Sequence, residues 1–309
     1  MNNQLLFYIV KRILLALLTI FIVITATFFI MHIVPGGPFT GEKAVSESVQ
    51  AAMEAKYGLD KPLIVQYGTY LHDLIFNFDL GPSLKQKGRE VTEIIADGFA
   101  VSAKLGLVAA AWGCLVGIIL GCIAAIKRNT FVDRLIMVIS TAFISMPSFI
   151  VGSLLLMIFA CNLGWFPANG ADSGGMFLPV LTLGLVPMAN ITRLTRSSML
   201  EVLGQGYIRT AKAKGIASNK ILFSHALKNA IIPDITYFGP LIASIVTGSL
   251  VVEQIFAVPG IGRAFVQSIV NRDYTVVMGT TIVLACLVVI MNLLSDILYK
   301  AVDPRIELK

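Results

Sequence analysis

The sequence predicts an all-α integral membrane protein with six transmembrane helices, on three observations. Hydrophobic residues make up 56% of the 309-residue chain, charged residues only 14%, and the mean hydropathy is +0.83. A soluble domain has about a quarter of its residues charged. The missing charge is absent from six runs, each long enough to cross a hydrocarbon core of about 30 Å. None of the runs shows the two-residue alternation of a barrel strand, and helices satisfy their own backbone within one segment.

Taken in order, the first span runs from Ile13 to Val34, behind Lys11 and Arg12, and closes at Pro35-Gly-Gly-Pro38. Its apolar length exceeds a signal-peptide core, so it is expected to be retained. The second span is Val101 to Ile126, and the third is Leu135 to Ala160, interrupted by Pro147. A weaker fourth span, Phe177 to Ile191, has Pro179 near its start and Pro187 within it. The fifth is Ile235 to Val252 and the sixth Val276 to Tyr299. This divides the chain into an N-terminal part, 1–100, with one span and an external segment, and a five-helix core, 101–309. Helical patterns over Ser46–Tyr57 and Pro62–Ile75 lie in the external segment.

Basic residues set the orientation, since cytoplasmic loops are enriched in Lys and Arg. Lys11, Arg12, Lys127, Arg128, Arg134, the cations of loop 193–234, and Lys300, Arg305 and Lys309 all fall on one side of the six-span scheme. Most remaining cations lie in the long 35–104 region, whose translocation is insensitive to charge. Both termini are therefore expected in the cytoplasm.

The large loop between spans four and five, 193–234, carries the clearest local signals. Glu201 to Gly215 reads as a short basic helix. Gly215 suits the left-handed position after its end, Ile216 supplies the accompanying hydrophobic contact, and Lys212 and Lys214 complement the helix dipole. Ser218 can cap a second helix, Asn219 to Ala230, before Pro233. On physical grounds this basic hairpin suits either anionic headgroups, at about 1 kcal/mol per cation, or a docked partner.

Titratable groups give no catalytic constellation. Cys114, Cys122, Cys161 and Cys286 form no CxxC pair and read as small hydrophobes. His32, His72 and His225 are isolated in sequence. Glu253 and Asp296 sit at span ends, where charges are interfacial or paired, and Lys104 reads as a snorkelling residue. Gly36 to Lys43 superficially suggests a phosphate loop, but Glu42 takes the lysine position and no strand precedes it. Ser140, Thr141, Ser145 and Ser148 flank Pro147 in span three, and Ser244, Thr247, Gly248 and Ser249 lie in span five. Small polar residues serve close helix packing. Beside a proline-freed carbonyl they also suit a water-lined path, and spans three and five are the candidates for it.

The run Tyr207-Ile-Arg-Thr-Ala-Lys-Ala-Lys-Gly215, followed by His225-Ala-Leu-Lys-Asn-Ala-Ile-Ile-Pro233, resembles the coupling loop of ABC importer permeases, in the oligopeptide/dipeptide branch. Arg209-Thr-Ala211 stands where the general family has Glu-Ala-Ala, and His225-Ala-Leu-Lys228 replaces Ile-x-Leu-Pro. Further likeness lies in Phe7-Tyr-Ile-Val-Lys-Arg12, Pro35-Gly-Gly-Pro-Phe39, Lys56-Tyr-Gly-Leu-Asp-Lys-Pro62, Leu80-Gly-Pro-Ser83, Met146-Pro-Ser-Phe149, Glu253 to Gly262, Asn271-Arg-Asp-Tyr274 and Asp303-Pro-Arg305.

The resemblance implies the transmembrane domain of a type I ABC importer, in the bacterial inner membrane, with a coupling helix between helices 4 and 5. It implies a homologous sister permease, two cytoplasmic ATPase subunits that hold ATP and Mg, an extracytoplasmic peptide-binding protein, and a peptide as cargo. This chain itself would bind no cofactor and catalyse nothing. The ATPase-coupling residues would be Tyr207 and Ile208 as apolar anchors, Arg209, Thr210, Ala211, Lys212 and Lys214 around them, and Gly215 at the reversal. Glu253, Pro259, Gly260, Gly262, Arg272 and Asp273 would belong to a loop facing the binding protein. A secondary transporter or channel without an ATPase is the rival reading, and it would show an intramembrane ionisable pair or an inverted repeat.

Overall fold

The computed structural model describes residues 3–33, 37–39, 47–246 and 250–302. Among these, every regular element is helical, apart from one antiparallel bridge between Pro82 and Glu90. In chain order the helices are α1 (Asn3–Ile33), α2 (Glu47–Lys56), α3 (Leu63–His72), α4 (Val91–Ile126), α5 (Phe131–Ser145), α6 (Ser148–Leu155) and α7 (Phe177–Leu203). There follow α8 (Gly206–Ala213), α9 (Ser218–Lys220), α10 (Lys228–Ala230), α11 (Ile232–Val246), α12 (Leu250–Ile255), α13 (Ile261–Asn271) and α14 (Tyr274–Val302). Three π-helical segments continue α3, α6 and α9, at Asp73–Asn77, Leu156–Asn162 and Ile221–Leu227.

Among the described residues, four helices are long and apolar enough to cross a membrane: Val10–Ile33, Val91–Ile126, Phe177–Leu203 and Tyr274–Leu294. The expected third span is not one rod. Phe131–Ser145 and Ser148–Asn162 meet at a bend of 106°. The cause is local: Met146 is extended, as the residue before a proline prefers, and Pro147 sits at the cap position just before α6, where its missing N–H is not needed. The fourth span continues through Pro187 as far as Leu203, so the cytoplasmic loop expected from residue 193 begins as a prolongation of that helix. The expected fifth span falls on α11 and α12, with Thr247, Gly248 and Ser249 outside the described residues. Pro35-Gly36, the phosphate-loop-like Gly41 to Lys43, Asp303 to Arg305 and the side chain of Asp296 also lie outside them.

The chain forms two compact units, 1–100 with 260–289, and 101–259 with 290–309. In the first, α3 packs on α1 through Phe28 and Tyr67, whose rings lie 5.1 Å apart, and through a 2.6 Å bond between the hydroxyls of Thr25 and Tyr67. Met278 and Ile282 of α14 complete that core, and a second cluster joins Val91, Ile94 and Ile95 to Ile261 and Val276. A cavity of about 380 Å³ opens among Phe28, His32, Tyr57, Gln66, Tyr70 and Tyr274. Burial pushes the Tyr70 phenol well above its usual range.

The second unit is built on a glycine ladder. A Cβ on Gly113, Gly117 or Gly121 of α4 would lie 2.7, 2.8 and 2.8 Å from the carbonyl oxygens of Gly184, Met188 and Thr192 on α7. Both sets repeat every four residues, so one edge of each helix runs against the other at backbone distance. In lipid, where burial of apolar surface drives little, such close packing is the main source of helix association.

Candidate functional site

α8 is set off from α7 by a break at Gly204-Gln205 and begins after Gln205, which is extended and offers no side-chain cap. Its faces are sorted by spacing. Ile208 and Ala211, three residues apart on one face, are buried. They join one apolar cluster with Cys122 and Ala125 of α4, Met199 of α7, and Ile221, Ala226 and Ala230 beyond the turn. Tyr207, Arg209, Thr210, Lys212 and Lys214 are exposed. The Tyr207 hydroxyl accepts a 2.8 Å bond from the Asn229 side-chain amide, which ties the ring to the helix beyond the turn.

The helix ends as the sequence indicates. Gly215 has φ +71°, its N–H donates to Lys212 O at 3.0 Å, and Ile216 N–H donates to Ala211 O at 3.3 Å. This is the paired bonding of a Schellman end, with Ile216 packed on the cluster. The expected second helix, Asn219 to Ala230, is present as α9, a π-helical segment and α10, but its start differs. Its cap position is Ala217 without a side-chain bond, so Ser218 does not cap it. Pro233 falls in the first turn of α11, where proline is tolerated.

The coupling set is thus divided. Tyr207, Arg209, Thr210, Lys212 and Lys214 face outward, and Gly215 is exposed at the turn. Ile208 and Ala211 anchor α8 to its own chain, so Ile208 is not available as an apolar anchor for a partner. Sequence spacing alone placed Tyr207 and Ile208 together, because adjacent helical residues point only about 100° apart. Which of them turns inward depends on where α4 and α7 lie.

The path candidates are dispersed as well. Thr141, Ser145 and Pro147 are exposed and Ser148 is half-buried at the α5–α6 bend, whereas Ser140 is buried and faces the helix packing. Ser244 donates to Leu241 O at 2.9 Å within α11, and Thr247 is outside the described residues. In the loop expected to face a delivery protein, Pro259 is exposed and Arg272 half-buried. Glu253 is fully buried and accepts a 2.7 Å bond from Ser102. Gly260 and Gly262 are buried at the start of α13, where a Cβ on Gly98 would stand 2.9 Å from Ile261 N. Asp273 is buried at the start of α14. It accepts from the Ser83 hydroxyl, from Leu84 N–H at 3.1 Å and from Lys85 N–H at 3.3 Å. Both acids serve the chain's own packing.

Two further acids, not singled out in the sequence, face α7. Asp133 of α5 receives a forked pair from Arg196, Nε to Oδ1 at 2.6 Å and Nη2 to Oδ2 at 2.8 Å, plus Asn129 N–H at 2.9 Å. Asp234 of α11 accepts from Thr195 Oγ1 at 2.9 Å. The available signal was an acid placed at the edge of each of two predicted spans, one before span three and one before span five.

Comparison with known proteins decides the family. Residues 117–308 match the model of the binding-protein-dependent transport system inner membrane component, and residues 5–105 match that of its N-terminal region. The chain belongs to this family. This inner membrane component is 48% identical to the dipeptide transport system permease protein DppB of Bacillus subtilis, over 97% of this chain and 98% of that one. It is 45% identical to the oligopeptide transport system permease protein OppB of Haemophilus influenzae, over 97% and 99%. Among solved structures, an inward-facing crystal form of the MetNI methionine ABC transporter superposes with a TM-score of 0.55. That match covers 68% of this chain and 97% of the other at 18% identity, so it speaks for the fold alone. The inner membrane component therefore shares its helical fold with a chain of that structure over about two thirds of its length.

Proposed function

We propose that this chain is the transmembrane permease subunit of an ABC importer, forming half of the path for oligopeptides or dipeptides and coupled to separate ATPase subunits. The observation that carries the reading is α8. It is a short helix clamped to its own bundle by Ile208 and Ala211 while presenting Tyr207, Arg209, Lys212 and Lys214 outward. Relatives named as dipeptide and oligopeptide permeases align along nearly the whole chain and supply the cargo class. In this reading the outward face of α8 docks on an ATPase that holds ATP and Mg. Closure of the ATPase pair moves α8, and the spans re-orient as rigid bodies. A sister permease completes the path, and a binding protein delivers the peptide from the far side. The six-span topology with both termini cytoplasmic, and a path along the α5–α6 bend near Ser145 and along α11 near Ser244, belong to the same reading.

The test is affinity purification of the tagged chain from its native membrane. ATPase and sister-permease subunits are expected in stoichiometric yield, with ATP-dependent uptake of tripeptides after reconstitution. Purified chain that moves solute alone down an ion gradient refutes the reading in favour of a secondary transporter. In a cysteine-free background, Ser145→Cys is expected to react with a polar thiol reagent and Ser140→Cys to resist it. Equal protection of both removes the α5–α6 bend from the path.

A further inference from the structure

We infer that the Thr195-Arg196 step of α7 is the transmission joint of this chain, a pair of positioning residues that makes α5 and α11 follow the coupling helix with α7. The inference rests on the importer reading above, since a joint of this kind has work to do only where an ATPase moves α8.

Consecutive residues of a helix point about 100° apart, so one step along α7 reaches two neighbours. Arg196 forks onto Asp133 of α5 with both carboxylate oxygens engaged. Thr195 donates to Asp234 of α11. On a third side α4 closes to backbone distance: a Cβ on Gly121 would stand 2.6 Å from Thr195 Cβ and 3.1 Å from Arg196 N. Asp133, Thr195 and Asp234 are 3%, 0% and 4% exposed, so water has little access to the Thr195–Asp234 bond and reaches the fork only from the side of Arg196, whose side chain is 24% exposed.

The joint is linked to α8 through the C-terminal end of α7 and the apolar cluster there. α7 runs unbroken from Arg196 to Leu203, about 10 Å at 1.5 Å per residue. Met199, one turn beyond Arg196, is fully buried in the same cluster as Ile208 and Ala211. A push on α8 is therefore passed to Met199 through this shared apolar cluster. From the joint, α5 leads to the 106° bend beside Pro147, at the proposed path.

The chemistry chosen is that of a linkage rather than of bulk packing. Apolar side chains of similar volume hold a buried site as firmly as an ion pair does, but without directional bonds. A planar guanidinium on a carboxylate accepts one orientation. Asp234 keeps its second oxygen buried without a hydrogen-bond partner among the described residues.

The experiment compares the wild-type complex with Thr195→Val, Thr195→Ser and Asp133→Asn, each purified with its companion subunits and reconstituted in vesicles. The readout is tripeptide imported per ATP hydrolysed, which loss of folded protein does not change. Thr195→Val conserves shape and removes only the hydroxyl, and Thr195→Ser restores it. Thr195→Val and Asp133→Asn are expected to hydrolyse ATP within about twofold of wild type while import per ATP falls at least tenfold; Thr195→Ser keeps the wild-type ratio. If Asp133→Asn is not recovered from membranes, Thr195→Val decides alone. A wild-type ratio in Thr195→Val overturns the joint and leaves the importer reading intact. A wild-type complex that shows no ATP-dependent import overturns that reading and the joint with it.

Discussion

Replacing Ile208 by alanine separates an inward anchor from a partner contact. The side chain is fully buried against Met199, Cys122, Ala125 and the 221–230 segment. The substitution removes three carbon atoms from a packed site. At about 0.8 kcal/mol for each buried CH₂ the transfer loss is about 2.4 kcal/mol. A cavity that collapses only in part brings the cost to about 2–5 kcal/mol, the usual span for Ile→Ala in a core. Tyr207→Ala is the control. Tyr207 is 45% exposed and gives up one hydrogen bond with Asn229, worth about 1 kcal/mol. The assay is twofold: thermal aggregation of the detergent-solubilised chain, and retention of ATPase subunits on the tagged complex. Ile208→Ala is expected to lower the aggregation midpoint by several degrees while the surviving folded chain still retains its ATPase. Tyr207→Ala is expected to shift the midpoint little and lose ATPase. Unchanged thermal behaviour with lost ATPase in Ile208→Ala refutes the inward assignment of that residue.

Three further outcomes are expected. Gly117→Leu forces a side chain into the carbonyl of Met188, 2.8 Å from its Cβ, and against Ile191; overpacking of this kind costs about 1–3 kcal/mol, read as reduced membrane yield and a lower aggregation midpoint, whereas Leu115→Ala on an exposed position of the same helix leaves both unchanged. Gly215→Val places a β-branched residue at φ +71°, in open space but in a backbone region such residues avoid, and should uncouple ATP hydrolysis from uptake; Gly215→Asn, which tolerates that region, keeps coupling. Asp273→Ala strips the acceptor from the Ser83 hydroxyl and the buried Leu84 N–H, at about 1–3 kcal/mol for each group left unsatisfied, while Lys85 N–H keeps Ser83 Oγ; limited proteolysis is expected to cut the 83–89 segment in the variant and spare it in the wild type.

Several features of this molecule are one-dimensional and needed no tertiary information. Apolar run length determined that the chain is a helical membrane protein, because the bilayer sets a minimum length and leaves the backbone no other way to satisfy itself. The end of α8 at Gly215 was equally legible. It depends on a residue free to adopt positive φ and on an apolar residue one step later, both written in adjacent letters. The helical patterns over 46–57 and 62–75 reappear as α2 and α3 for the same local reason. Spacing at Gly113, Gly117 and Gly121 was also a readable signal, since small residues every four positions announce a close crossing.

Tertiary structure decided whatever depends on which neighbour lies on which side. It turned Ile208 inward and Tyr207 outward, buried Ser140 while exposing Ser145, and bent the third span by 106° where the letters showed only a proline. It also drew Asp133 onto Arg196 and Asp234 onto Thr195, pairs 63 and 39 residues apart in the chain. A charge at a span edge has the same local pattern whether it meets water, a headgroup or a partner inside the bundle. Only the approach of the second helix removes the water and makes the pairing obligatory.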